Sequence, residues 1–106
     1  MQVFHQPDGV LCGYDMRGHA DSAPHGEDLV CAAASTLAIV IENSLCVQGV
    51  AIEGEMDEGY VKVMLKMPDP AQEDPVAQAV LKTFEVGANA LAQTYPRYIK
   101  VDSVLI

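Results

Sequence analysis

The chain has 106 residues, half of them hydrophobic, with fifteen acidic against six basic side chains and a net charge of −9. That length and apolar content fit one packed domain over residues 1–106, burying roughly 60–70% of the unfolded surface, and exclude a disordered chain. An acidic surface argues against direct nucleic-acid binding, because phosphate contact needs basic side chains, and it suits attraction to a basic peptide.

Residues 2–5 and 10–17 read as two strands joined by the turn Gln6-Pro7-Asp8-Gly9. In the second strand Val10, Cys12, Tyr14 and Met16 alternate with Leu11, Gly13, Asp15 and Arg17, so one face is expected to be buried. Gly18 ends it where the backbone must change direction, and His19 follows. Residues 20–27 hold Asp21, Ser22, Pro24, His25 and Gly26 without periodicity and read as a loop.

Asp28 stands where a helix cap belongs. From there Val30, Ala33, Ala34, Leu37, Ile41 and Leu45 recur in steps of three and four, the stripe of an amphipathic helix. The helix is predicted to continue through Ile41 and to close near Asn43, Ser44 and Leu45. Ile39 falls on its otherwise polar side and is a candidate dimer contact.

Residues 47–56 and 60–67 form a second strand pair around Asp57-Glu58-Gly59, whose glycine suits a three-residue hairpin. Val61, Val63, Leu65 and Met67 are expected to face the core, with Lys62 and Lys66 outward. Pro68-Asp69-Pro70 breaks that strand. A second helix is predicted over 72–94, with Ala77, Val80, Phe84, Gly87 and Leu91 along one side, and a last strand over 98–105. The order is ββαββαβ. Two helices with one apolar stripe each need a shared surface, so the expected fold is a two-layer α+β sandwich on a mostly antiparallel sheet.

No apolar run approaches the ~20 residues of a membrane helix, and Met1-Gln2-Val3-Phe4-His5 lacks the basic start of a signal peptide. A cytoplasmic protein without membrane contact is expected. The three cysteines, an odd number, then read as free thiols in a reducing compartment. Cys12 and Cys46 read as small buried apolar residues.

Cys31 differs. Capping at Asp28 puts it at about the third helical position, where unpaired N–H groups and roughly half a positive charge from the helix dipole favour thiolate over thiol. At ~100° per residue it lies roughly 120° from the stripe, on the flank of Ser35 and Glu42. A cysteine in an Ala-rich helix can be mere packing. A thiol off the core stripe beside a helix start is better placed for chemistry. His19, twelve residues earlier, supplies a base for a cysteine–histidine pair of the hydrolytic kind. Asp28 either caps the helix or orients His19 as a third member. Ser35 either hydrogen-bonds near the thiol or bonds back to a helix carbonyl. The 20–27 loop is expected to be mobile when empty and to close over substrate. His25, His19, Cys31 and Cys12 lack C-x-x-C or H-x-x-x-H spacing, so no metal and no cofactor are expected. Tyr60, Met64, Met67 and Phe84 either line a pocket or belong to the core.

Several fixed residues sit at fixed offsets: Gly18-His19-Ala20, then Gly26-x-Asp28-x-Val30-Cys31-Ala32-Ala33-x-Ser35, Asn43-Ser44-Leu45, and Tyr95-Pro96-x-Tyr98-Ile99. With chain length and element order, this pattern resembles the ribosomal-processing cysteine protease family, Prp, over essentially the whole chain. Ala34 stands where a Val is often found. The resemblance implies a protease that removes the N-terminal extension of large-subunit ribosomal protein twenty-seven during ribosome assembly. It implies His19 as catalytic histidine, Cys31 as nucleophile, and a homodimer. Two other classes stand beside it. A non-catalytic ribosome-associated module has no physical need of both His19 and Cys31. A redox-sensing thiol lacks an evident resolving cysteine, since Cys46 lies about four turns down the same helix.

Overall fold

The computed structural model describes residues 1–17, 25–57, 59–66 and 74–106. Strands β1 (Gln2–His5), β2 (Leu11–Arg17), β3 (Ile52–Asp57), β4 (Tyr60–Leu65) and β5 (Asp102–Leu105) and helices α1 (His25–Val47) and α2 (Pro75–Thr94) follow in the order ββαββαβ. They form the expected α+β sandwich. The sheet order is β3-β4-β2-β1-β5, with β1 and β5 parallel and the other neighbours antiparallel.

The first hairpin turns on Gly9, whose φ of 91° is open to glycine at little steric cost. Asp8 Oδ1 accepts the N–H of Val10, and Gln6 bonds across the turn to Val10 and Gly9. Beyond it the pairing runs Phe4↔Gly13, then His5↔Leu11, so Cys12 is an extra residue in β2. The bulge breaks the alternation read from the sequence. Leu11, not Cys12, joins Tyr14 and Met16 in the core cluster, and Leu11 through Met16 are all buried rather than every second one. Gln78 of α2 closes the gap: its side-chain oxygen accepts the Leu11 N–H at 2.9 Å, and its NH₂ donates to the Leu11 carbonyl at 2.7 Å.

Both helices cover one face of the sheet. Val30, Ala34, Ala38, Ile41 and Leu45 of α1 are buried, as are Ala77, Leu81, Phe84 and Ala88 of α2. Phe84 stacks on Tyr14 with centroids 4.0 Å apart, and the Tyr14 hydroxyl donates to the Ala38 carbonyl at 2.7 Å. The helices meet where Gly87 faces Leu37. Phe84 is therefore core, not pocket. Val61 and Val63 point inward as expected, and Met67 lies outside the described residues.

Helix α2 starts at Pro75 rather than at residue 72. Asp74 caps it by accepting the Val76 N–H at 2.9 Å, and proline suits a first turn whose N–H groups lack partners anyway. The hairpin glycine, Gly59, has φ 71°, but Asp57 itself pairs with Tyr60, so that connection is one residue shorter than expected. β3 starts at Ile52 rather than 47, because α1 runs on to Val47, and β5 starts at Asp102 rather than 98. One composition reading also needs correcting. Leu29–Val47 is long and apolar enough to cross a membrane, with mean hydropathy 1.8. Its buried stripe is spent on the sheet.

Candidate active site

The start of α1 decides the setting of Cys31. The sequence reading starts the helix at Asp28, whereas it begins at His25. Residues 25–27 are thus helix rather than loop. Asp28 lies inside the first turn and is not the cap; the direction of its side chain lies outside what is described. Cys31 is the seventh helical residue. The partnerless N–H groups of an α-helix are its first four, so they lie about one turn before the thiol rather than around it. The sequence reading put Cys31 among those groups, and the structure puts it a turn beyond them.

The flank assignment holds. Cys31 is half-buried, between the buried Val30 and Ala34 and the exposed Ala32. It lines a cleft of about 720 Å³ together with Ser35, one turn further on. In the adjoining turn it is Thr36 that bonds back to a carbonyl, that of Ala32, at 2.8 Å. The cleft lies at the end of the sheet where β2 outruns β1: Gln2 pairs with Asp15, while Met16 and Arg17 have no β1 partner in the register. Met1, Gln2, Asp15 and Met16 form part of its wall, and Arg97 through Lys100 cross from α2 to β5 along another. Tyr98 is exposed and Ile99 buried. None of Tyr60, Met64 and Phe84 lines it.

The other thiols are set apart. Cys12 is buried, and burial, followed by the Asp8 carboxylate, pushes its thiol up, which keeps it protonated. Cys46 is exposed rather than buried as read, and lies fifteen residues along α1, about 22 Å from Cys31 and too far to resolve an oxidised thiol. His19 and residues 20–24, the larger part of the expected lid over 20–27, lie outside the described residues. Among the described residues no group of three or more His, Cys, Asp or Glu side chains is placed to hold a metal ion.

The family described as cysteine protease Prp matches residues 1–100. The chain belongs to that family. It is accordingly a cysteine protease. Among solved structures, a Streptococcus mutans protein is 25% identical, over 99% of this chain and 92% of its own, with TM-score 0.78. The essential ribosomal processing protease Prp of S. aureus, in complex with a substrate peptide, is 22% identical over 97% of this chain and 96% of its own, with TM-score 0.83. With a covalently linked product peptide, that protease matches at 23% identity over the same shares, with TM-score 0.78. These two share the fold. No curated protein matches the chain.

The sequence missed much of the wall of the cleft that Cys31 lines. Tyr98 and Ile99 carried a signal, since Tyr95-Pro96-x-Tyr98-Ile99 was part of the family pattern. Met1, Gln2 and Asp15 carried none.

Proposed function

We propose that this chain removes the N-terminal extension of large-subunit ribosomal protein twenty-seven, with Cys31 as nucleophile and His19 as proton carrier. The observation that carries this reading is Cys31 itself, the cysteine of the three that lines the cleft, in a chain of the cysteine protease Prp family. The S. aureus protease, of the same fold, is a ribosomal processing enzyme seen with peptide bound.

The thiolate of Cys31 attacks the scissile carbonyl carbon and forms a tetrahedral oxyanion. Collapse breaks the carbon–nitrogen bond, and His19 protonates the departing amine, leaving a thioester on Cys31. Water, deprotonated by His19, then attacks the thioester and restores the thiol. Because the free N–H groups of α1 precede Cys31 by a turn, the oxyanion needs another donor. Ser35, on the same flank in the same cleft, supplies a hydroxyl there. Asp28 sits one turn before Cys31 and is retained as a candidate for orienting His19.

The reading includes a cytoplasmic homodimer without nucleic-acid or membrane contact. The net charge of −9 supports the absence of nucleic acid, and exposed Ile39 and Val40 on α1 offer apolar surface for a second copy. Mass spectrometry of the host ribosomal protein, incubated with the wild type, Cys31→Ala or His19→Ala, tests the activity. A single cut near the N-terminus, absent with both variants, is expected. An intact extension after incubation with reduced wild type overturns the reading.

A further inference from the structure

We propose that Asp15 receives a lysine or arginine side chain of the peptide substrate, an inference that rests on the proteolytic reading and adds a specificity determinant to it. Asp15 is 1% exposed, the one buried charged residue among those described, and it lines the cleft that holds Cys31. Among the described residues its Oδ1 has no hydrogen-bond partner. A buried carboxylate oxygen left unmet is costly, and ligand binding is one of the few reasons to keep one.

The neighbouring cations act on Asp15 at a distance, the Met1 ammonium included, and none among the described residues hydrogen-bonds Oδ1. Arg17 brings Nε to 3.6 Å from the other oxygen, Oδ2, and its own side chain is 73% exposed. Lys62 sits directly across from Asp15 in the β2–β4 register, yet its ammonium lies over the Phe4 ring, 5.6 Å from the centroid. The Met1 ammonium donates to the Lys100 carbonyl at 2.8 Å. Arg97 and Lys100 stand on the exposed rim.

Geometry connects this carboxylate to the nucleophile. Asp15 and Met16 are consecutive strand residues and project to opposite faces, yet both line the cleft. The cleft therefore wraps the edge of β2 that extends past β1, and a peptide lying along it passes from the helix-covered face bearing Cys31 to the face bearing Asp15. A charged donor is the match for a desolvated carboxylate, being roughly twice as strong as a neutral one.

The test uses dye-labelled, N-acetylated peptides spanning the cleaved region of the host ribosomal protein, each Lys or Arg replaced in turn by Gln, beside an unacetylated parent. Binding is read by anisotropy and cleavage by kcat and KM, for wild type, Asp15→Asn and Asp15→Glu. One replacement is expected to raise Kd and KM of the wild type roughly tenfold or more while kcat holds. Asp15→Asn should lose that much for the parent and become blind to the replacement, and Asp15→Glu should restore part of the preference. If Asp15→Asn does not fold, the wild-type peptide series alone decides. Cleavage and binding indifferent to every replacement, or Asp15→Asn weakening all peptides alike, overturn the assignment and leave proteolysis standing. A preference abolished by acetylation alone reassigns the cation to a peptide amino terminus and also overturns it. A parent peptide bound with the expected preference but never cut overturns the proteolytic reading instead, and one neither bound nor cut overturns both.

Discussion

The hydroxyl of Tyr14 donates to the carbonyl of Ala38 at 2.7 Å, fastening the central strand to the helix that carries Cys31 two turns earlier. The ring is fully buried against Phe84, so the bond is shielded from water. Tyr14→Phe is expected to cost about 1 kcal/mol in urea unfolding at neutral pH while leaving the ring packing in place.

The same residue predicts an alkaline limit. Burial first, then the Glu42 carboxylate and Cys46, push the Tyr14 phenol above its usual range. Its folded-state pKa is raised, so its contribution is complete below the unfolded value of about 10 and is lost as pH climbs from there toward the folded value. Melting temperatures of the wild type should fall above about pH 10, and Tyr14→Phe should fall less over the same interval. Parallel decline in both proteins would remove Tyr14 from the explanation.

Gln78 holds both backbone groups of Leu11 at the β2 bulge. Gln78→Ala leaves a donor and an acceptor to half-formed solvent contacts and is expected to destabilise by about 1–3 kcal/mol. Hydrogen exchange should localise the loss, with the Leu11 amide exchanging faster while the β2–β4 ladder stays protected.

Two glycines predict opposite severities. A Cβ at Gly13 would collide with the Val63 carbonyl oxygen, part of the backbone of the neighbouring strand, which cannot step aside alone. Gly13→Ala is expected to cost about 3 kcal/mol. At Gly87 a Cβ would come within 2.9 Å of the Leu37 side-chain end, which can rotate, and the helix gains about 1 kcal/mol from losing a glycine. Thermal melts should rank Gly87→Ala far above Gly13→Ala.

The cysteines should separate by alkylation. Iodoacetamide at neutral pH is expected to label exposed Cys46 and half-buried Cys31 and to spare buried Cys12 until the protein is unfolded. Activity loss should track Cys31 in peptide mass maps, and Cys46→Ser should keep both activity and sensitivity. Inactivation that follows Cys46 would contradict the site.

The fold was largely legible because the period-3.6 stripes of both helices and the valines of β4 are strong signals, and they recovered the order ββαββαβ. What escaped depended on partners distant in sequence. The bulge at Cys12 is set by β1, so no local pattern in β2 announces that Leu11 replaces Cys12 in the core. The start of α1 escaped because Asp28 mimics a cap while the chain behind it already coils. Along the cleft, the shared flank of Cys31 and Ser35 was readable from helical phase, whereas Asp15 looked like an ordinary outward strand residue. Its burial comes from the surrounding fold.

The cleft that houses Cys31 takes its walls from segments far apart in sequence, Met1 and Gln2 on one side and Arg97 to Lys100 with Asp102 on the other. Those walls are clasped by the parallel β1–β5 pair, with the Asp102 N–H bonded to the Met1 carbonyl at 3.0 Å, a contact a hundred residues apart. Cys31 lies far from both walls in sequence, so the cleft assembles only through contacts distant along the chain. Loosening the β1–β5 pair therefore opens the groove around the thiol without touching the helix that carries it.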